Sequence, residues 1–269
     1  MGGEVMNDLS LNELIRSREE KRILTGKISG IEDEFYKVRN ELVTCAILWY
    51  GDVKILIPSE HMGTTNINKS VLRGMIQAEI DFIVIEIDET ANIAIASRKL
   101  AMELRSELEL PKLNTNDNVR VRILSVGTKH IIVELYGKEV VIKAQHLKHT
   151  YIFNCKNYFK VGDYLKVRIR KIDINNNVYE LDAKCFTENP YNNARKYIIE
   201  NGEYVGKVVA FPKKKNGVIV QLDVADITCL VRVPANFNNY PQFLQQVLIR
   251  VTEIKEKQKL IYGYLVRMI

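Results

Sequence analysis

KILIPSEHM at residues 54–62 is followed, 85 positions later, by EVVIKAQHL at residues 139–147. Both stretches read as a short apolar run, a break, two small or polar residues, a histidine and an apolar residue. The same offset relates two further pairs of segments: IDETANIAIASRK (87–99) with IDINNNVYELDAK (172–184), and CAILWY (45–50) with HIIVEL (130–135). One long period through three segments predicts tandem copies of a whole domain rather than an array of small repeats.

A third, looser copy follows the first two. VLIRVTEIKEKQKLIY (247–262) matches LKVRIRKIDINNNVYE (165–180) at an offset of 82, and TCLVRVP (228–234) matches EVVIKAQ (139–145) at an offset of 89. Because the two offsets differ, the third copy must have loops of different length from those of the second. The sequence therefore predicts three related units in one chain.

Each unit reads as a set of short strands. In the middle unit, VRVRILSV (119–126) alternates apolar and basic residues, which places one face in a core and the other in water. Four more segments complete the set: HIIVEL (130–135), EVVIK (139–143), YLKVRIRKI (164–172) and VYEL (178–181). The stretch DINNN (173–177) is predicted to be a turn, because Asn tolerates left-handed backbone. Five short strands in ~70 residues predict a small closed barrel, which leaves no exposed edge.

Helices are predicted between the barrels, so the fold class is all-β with connecting helices. Ser10 and Glu13 form a capping box ahead of LNELIRSREEKRI. SRKLAMELRSELEL (97–110) consists of strong helix formers and stops at Pro111, and NPYNNARKYIIENG (189–202) has Pro190 at a first-turn position. These helices either hold the barrels at a fixed spacing or are plain linkers.

Charge is divided unevenly along the chain. Residues 1–116 carry a net charge of −5, residues 117–186 carry +6 and residues 187–269 carry +5. An acidic first third and two basic thirds indicate two kinds of partner, unless the basic charge simply lies on solvated faces. No apolar run approaches the ~20 residues that span a bilayer, and the acidic N-terminus lacks the apolar core of a signal peptide. We therefore expect a cytoplasmic protein with no membrane partner and with its four cysteines reduced.

Several segments resemble the RNA-binding repeat of bacterial ribosomal protein S-one. The matching stretches are LTGKISGIE (24–32), ILIPSEHM (55–62), ANIAIASRK (91–99) and FKVGDYLKVRIRKID (159–173). The resemblance implies three tandem five-stranded OB-fold barrels that bind single-stranded RNA. The implied division is a helical segment at 1–22, a first repeat with a linker helix at 23–110, a second repeat at 111–186, and a linker helix with a third repeat at 187–269.

The resemblance also implies a ligand face on each barrel. The basic site of strand one falls on Lys27, Arg122 and Lys207, and the site of strand three falls on Pro58, Lys143 and Arg232. The loop before strand five supplies Asn92 in the first copy, Asn177 in the second, and Lys257 with Lys259 in the third.

One departure concerns base stacking. The aromatic residue that stacks on a base in strand two of the family is replaced by Ile47, Ile132 and Ile219. Stacking is worth ~1–3 kcal/mol per base, so its loss would weaken binding. The side chains that could substitute are Trp49, His130, Phe211 and Tyr262, each of which could instead serve packing or, for Trp49, a protein contact.

The residues point to a polyanion even without the resemblance. Four arginines at alternate positions of two strands are expected to face outward: Arg120, Arg122, Arg168 and Arg170. Lys213, Lys214 and Lys215 form a basic loop in the third unit. Cations placed on phosphates release counterions and give salt-sensitive affinity that is largely independent of sequence.

We therefore predict a single-stranded RNA-binding adaptor with a role in translation, holding mRNA near the ribosome. Its acidic first unit is expected to bind a protein partner, for example on the ribosome. No phosphate-binding loop, nucleophile elbow or zinc-protease motif is present in the sequence, so we expect no catalytic residues, cofactor or metal. Two alternatives stay open: a protein-interaction scaffold that has lost RNA binding, and a single-stranded nucleic-acid accessory factor of transcription or of a mobile element.

Overall fold

The computed structural model describes residues 3–36, 41–64, 67–212, 217–225, 227–235, 237 and 239–269. The chain divides into two compact units. Unit 1 comprises residues 1–143 and 155–182, and unit 2 comprises residues 144–154 and 183–269. Within the described residues, no helix is both long enough and apolar enough to cross a membrane.

The first barrel of unit 1 is a six-stranded sheet in the order β1-β5-β6-β4-β3-β2. Its strands are β1 (Leu24–Lys27), β2 (Gly30–Tyr36), β3 (Glu41–Tyr50), β4 (Val53–Pro58), β5 (Glu79–Asp88) and β6 (Ile93–Ser97). The two edge strands, β1 and β2, are consecutive in the chain, so the sheet nearly closes on itself. Alternating apolar residues, such as Val53, Ile55 and Ile57 of β4, point into the core.

Three α-helices are described, all in unit 1: α1 (Gly3–Glu20), α2 (Lys69–Arg73) and α3 (Arg98–Glu109). The predicted capping box is wrong, because α1 already begins at Gly3 and Ser10 lies in its interior. The prediction for α3 is confirmed: the Ser97 hydroxyl accepts the Leu100 N–H at 3.2 Å, and the α-helix ends before Pro111. The third predicted helix is shorter than expected, since only a 3₁₀ helix at Pro190–Lys196 forms.

The second barrel of unit 1 has the strand order β11-β10-β7-β8-β9, with β11 and β9 at its edges. Its strands confirm the five predicted segments: β7 (Asn118–Val126), β8 (His130–Leu135), β9 (Lys138–Lys143), β10 (Tyr164–Asp173) and β11 (Val178–Asp182). The predicted turn is also confirmed, because Asn177 has φ 53° and lies just before β11.

Unit 2 contains a closed barrel in the order β12-β13-β14-β16-β15. Its strands are β12 (Glu203–Ala210), β13 (Val218–Leu222), β14 (Thr228–Arg232), β15 (Gln246–Lys255) and β16 (Leu260–Met268). Strands β14 and β16 pair in parallel, as β4 and β6 do in the first barrel.

The fold is thus mostly β, with closed and nearly closed barrels, as the OB-like class requires. Asn92, Asn177 and Lys259 all have φ values of 53–55° in the turn before the last strand of their barrel. That the barrels are three copies of one OB fold, with the boundaries given above, stays a prediction.

Candidate nucleic-acid interface

Arg122 of β7 does not face water, so the prediction that it lies outward and open to a ligand is wrong. Its side chain does point out of the second barrel, but it is only 8% exposed because the first barrel covers it. Its Nη1 donates to Asp81 Oδ1 of β5 at 2.7 Å, and its Nη2 donates to Glu134 Oε1 of β8 at 2.7 Å. The arginine therefore joins the two barrels of unit 1.

A buried ion network extends on both sides of Arg122. Arg98, the first residue of α3, is fully buried and donates to Glu134 Oε2 and to Glu139 Oε1, both at 2.8 Å. Arg105 Nε lies 2.6 Å from Asp81 Oδ2. Three arginines thus meet three carboxylates, and the network is electrically balanced, which burial requires.

The network determines how its members ionise. Burial disfavours the charged form of Asp81, but the hydrogen bonds and positive charge of Arg122 outweigh it and hold the pKa of Asp81 below its usual range. The same contacts raise the pKa of Arg122 despite its burial. Both groups therefore stay charged at neutral pH, and the contact between the barrels is ionic.

The network also closes one end of the outer face of β8 and β9, where the resemblance places the ligand. Three cross-strand pairs lie along this face: Glu134 with Glu139, Ile132 with Val141, and His130 with Lys143. Arg98 holds the two glutamates, and Ile132 packs against the hydrophobic cluster of the first barrel. The rest of the face is open: Val141 is 57% exposed, and His130 and Lys143 at the far end are both exposed and adjacent.

The corresponding face of the first barrel is acidic. Lys54 of β4 donates to Glu32 Oε2 at 2.5 Å and to Glu34 Oε1 at 2.9 Å. The hydrogen bond from Lys54 lowers the pKa of Glu32. Trp49 stands opposite Lys54 and is 57% exposed, whereas Ile47 at the expected stacking position is buried. This face therefore presents one tryptophan together with two glutamates that share a single lysine.

The third barrel has an open groove of about 670 Å³ along its parallel pair of strands. Tyr262 and Tyr264 of β16 line it together with Leu230 and Arg232 of β14. In the register of the pair, Leu230 lies beside Tyr262 and Arg232 beside Tyr264. Two aromatic rings and an exposed guanidinium therefore share one surface, which we call the β14–β16 groove.

Further cations lie against the tyrosines of the β14–β16 groove. Lys255 Nζ lies 5.2 Å from the centre of the Tyr262 ring, and the Arg250 guanidinium lies 6.0 Å from that of Tyr264. Arg250 is also paired with Glu203, whose Oε1 accepts its Nε–H at 3.0 Å. Both cations on the β15 side are thus paired with carboxylates, since Lys255 Nζ also lies 3.3 Å from Oε2 of Glu253, which lines the groove.

A second aromatic pair lies near the end of β14. The rings of Phe211 and Tyr240 are 6.2 Å apart between centres and both are about half exposed. The Tyr240 hydroxyl donates to the Gly217 carbonyl at 2.9 Å. A Cβ at Gly217 would lie 2.4 Å from the Val231 carbonyl oxygen, so only glycine allows this close approach. The contact brings the aromatic pair next to Arg232.

No family model matches the chain. It is 22% identical over 233 residues to a 4-hydroxy-3-methylbut-2-enyl diphosphate reductase of Clostridium acetobutylicum, covering 82% of this chain and 36% of that protein. It is 24% identical over 197 residues to the small ribosomal subunit protein bS1 of Coxiella burnetii, covering 67% of this chain and 34% of that protein. The chain therefore spans about a third of the length of the curated relatives it matches.

Among solved structures, a multidomain protein with nucleic acid binding domains from Streptococcus pneumoniae is 14% identical, with a TM-score of 0.24. The alignment covers 91% of this chain and 73% of that one. The weak sequence similarity to bS1 supports the predicted resemblance, and the number of copies stays a prediction.

The structure places the remaining predicted contacts as follows. Those that are exposed are Lys27, Trp49, Arg120, His130, Lys143, Arg168, Arg170, Asn177, Lys207, Phe211, Arg232, Lys257 and Lys259. Tyr262 is half-buried in the groove, and Lys213, Lys214 and Lys215 lie outside the described residues. Exposure permits a role in RNA binding, and that role stays a prediction for each of these residues.

Sequence reasoning missed two residues of the third barrel. Tyr264 follows Tyr262 by two positions on β16, so strand alternation alone could have placed both on one face. Tyr240 lies in the loop between β14 and β15, where no periodicity applies. Only the folded chain brings Tyr240 against Phe211.

Proposed function

We propose that this protein binds single-stranded RNA through three OB-fold copies, with the third barrel as the principal site. The observation that carries the proposal is the β14–β16 groove, where Tyr262, Tyr264 and Arg232 line one open surface. Aromatic rings next to cations are the combination that unpaired nucleotides require, because bases stack on rings while phosphates pair with cations.

Single strands are favoured over duplexes by the same chemistry. The faces of the bases are available for stacking only when the bases are unpaired, and RNA-binding proteins that use aromatic side chains target such segments. The phosphate contacts carry no sequence information, so we expect base preference to be modest. Binding should weaken as salt rises, since each neutralised phosphate releases counterions.

The biological role we propose is in translation, holding mRNA near the ribosome in the cytoplasm. Similarity to bS1, a ribosomal protein, supports this role. We propose binding rather than catalysis, although one relative bears the name of an enzyme. The acidic face of the first barrel, with Lys54 held by Glu32 and Glu34, suits a protein partner better than RNA.

One observation favours the scaffold alternative. The outer face of β8 and β9 is half closed by the first barrel, and Ile47 is buried at the stacking position of the first copy. Two of the three expected ligand faces thus offer less exposed surface for stacking or contact with RNA. In this reading the barrels would serve only to contact other proteins.

A titration at several salt concentrations tests the proposal on the full chain. Fluorescence anisotropy with labelled single-stranded RNA, single-stranded DNA and duplex RNA should give tightest binding to single-stranded RNA. Arg232→Ala should weaken that binding about tenfold. It should also lower the salt slope, the magnitude of the slope of log affinity against log salt concentration, by about 0.7. The matched control is Arg195→Ala, an exposed arginine of the 3₁₀ helix outside the groove, which should bind like the parent.

Each other outcome selects an alternative. If the chain binds no nucleic acid at low salt, the protein-interaction scaffold is the favoured function. Equal binding of DNA and RNA would favour the accessory factor of transcription or of a mobile element. An equal loss in both arginine variants would show that the groove is not the site.

A further inference from the structure

The second barrel carries its exposed cations on a face different from that of β8 and β9. Basic residues follow one another on the outer sides of β7 and β10: Arg120, Lys166, Arg168 and Arg170. All four are exposed, and Lys166 lies directly opposite Arg120 in the antiparallel register. We call these residues, together with Tyr164, the β7–β10 strip.

The spacing of the strip suits a row of phosphates. Residues two apart on a strand are ~6.6–6.8 Å apart, and neighbouring strands lie ~4.8 Å apart. Lys166 and Arg168 therefore form one row with Arg120 beside it, and Arg170 follows at the register shift of β10 between Ile169 and Lys171. Consecutive phosphates of a nucleic-acid strand have a similar separation, so one strand can be contacted by several of these side chains in turn.

Two of the cations, Arg168 and Arg170, contact polar or acidic groups at the surface of the second barrel. Arg168 Nε donates to Asn118 Oδ1 at 3.1 Å, and Arg170 lies 3.7 Å from Asp182 with about half of its side chain exposed. Glu180 lies on the neighbouring strand opposite Lys171. Water screens such exposed pairs strongly, so a phosphate can replace them. Positive charge still exceeds negative charge along the strip.

The strip is not built to stack bases. The Arg120 guanidinium covers the Tyr164 ring at 4.5 Å, and the Tyr164 hydroxyl donates to Glu79 of the first barrel. Tyr164 is the one aromatic residue of the strip, whereas two tyrosines line the β14–β16 groove. Recognition here would use charge alone and would not require unpaired bases.

We propose that the β7–β10 strip is a second RNA site, which holds the sugar–phosphate backbone whether or not the bases are paired. The second barrel thereby contacts RNA on strands β7 and β10, since the first barrel covers part of its β8–β9 face. The strip extends the proposed function, because it would also hold double-stranded segments next to a single strand.

A pair of matched double variants of the full chain tests the strip. Lys166→Gln with Arg168→Gln removes two charges from it, whereas Lys129→Gln with Lys156→Gln removes two exposed charges from loops of the same barrel. With duplex RNA, the strip variant should bind about tenfold or more weakly at ~100 mM salt, and its salt slope should fall by about 1.8. With single-stranded RNA, the slope should fall by about 1.4. All four substitutions are at exposed positions, so thermal unfolding should be unchanged.

The results separate this proposal from the groove. Unchanged duplex binding and slope in the strip variant, or an equal loss in the loop variant, would overturn the strip. A loss for single-stranded RNA alone would show that the strip holds only unpaired strands and would also overturn it. Arg232→Ala, measured in parallel, should leave the duplex slope intact, so failure of the groove and failure of the strip give different patterns.

Discussion

Arg122 and Lys207 occupy corresponding positions in the first strand of the second and third barrels, yet Arg122 is buried and Lys207 is exposed. Arg122 is 8% exposed and lies between Asp81 and Glu134, whereas Lys207 is exposed and stands opposite Gln221 of β13. The difference comes from what covers each barrel rather than from the barrel itself. A strand surface that joins a neighbouring barrel in one part of the chain can therefore be open to solvent in another barrel.

The same contrast appears in strand three. Glu139 of β9 is held by the buried Arg98, while Leu230 and Arg232 of β14 line an open groove. The first two barrels contact each other over part of the face on which the resemblance places a ligand. In the third barrel the β14–β16 groove is open, and Tyr262 and Tyr264 line it.

Breaking the network should strongly destabilise unit 1. Arg122→Ala leaves Asp81 and Glu134 buried with one cation fewer, which should lower the free energy of unfolding by about 3–5 kcal/mol. Trp49 is the only tryptophan of the chain and lies in unit 1, so its fluorescence in urea reports the unfolding of that unit. Arg120→Ala, two residues away and exposed, is the matched control.

The control should cost no more than about 1 kcal/mol, because an exposed arginine contributes little. If Arg122→Ala were as stable as Arg120→Ala, the buried network would not hold the barrels together. The comparison between Arg122 and Lys207 would then lose its physical basis.

The burial of Arg122 could not be predicted from the sequence. Alternation of apolar and basic residues in VRVRILSV placed its strand and its outward side correctly. Alternation describes one barrel, however, and says nothing about a second barrel that covers the outer side. The partner carboxylates lie 41 and 12 residues away in sequence, at spacings that follow no period.

The third barrel was predictable to a greater extent. Arg232 was predicted by its position in strand three and Tyr262 as a stacking candidate, and both line the groove. The pairing of Tyr240 with Phe211 depends on how a loop folds back, which local patterns do not specify. The short 3₁₀ helix at Pro190–Lys196 has a similar cause, because Asn193 adopts a non-helical conformation within a segment of good helix signals.

Removing the rings of the groove should weaken RNA binding without affecting unit 1. Tyr262→Ala and Tyr264→Ala should each reduce affinity for single-stranded RNA about 5- to 150-fold, the equivalent of ~1–3 kcal/mol of stacking. Tyr262→Phe keeps the ring and should bind nearly as the parent does. Tyr197→Ala, an exposed tyrosine outside the groove, is the control. Equal losses for Tyr262→Phe and Tyr262→Ala would mean that stacking is not the role of this ring.

Acid should weaken the contact between the first two barrels. Because Arg122 holds the pKa of Asp81 below its usual value of 3.8, Asp81 stabilises the fold above that value and loses this contribution as pH falls through its lower folded pKa. The urea midpoint followed by Trp49 fluorescence should therefore drop below about pH 4. Asp81→Asn lacks the ionisable group, so the stability gap between parent and variant should narrow in this range. A constant gap down to pH 2.5 would contradict the assignment.

The smallest effect is expected at Trp49, the exposed ring of the first barrel. If the acidic face repels RNA, Trp49→Ala should change affinity for single-stranded RNA less than about twofold, in contrast to the tyrosines of the groove. The nearby Lys54 cannot compensate, because Glu32 and Glu34 already hold its ammonium group. Anisotropy titrations of the full chain, with Tyr262→Ala alongside, give the comparison directly. A loss at Trp49 as large as that at Tyr262 would mean that the first barrel also stacks on RNA, and the surface here assigned to a protein partner would instead belong to the RNA path.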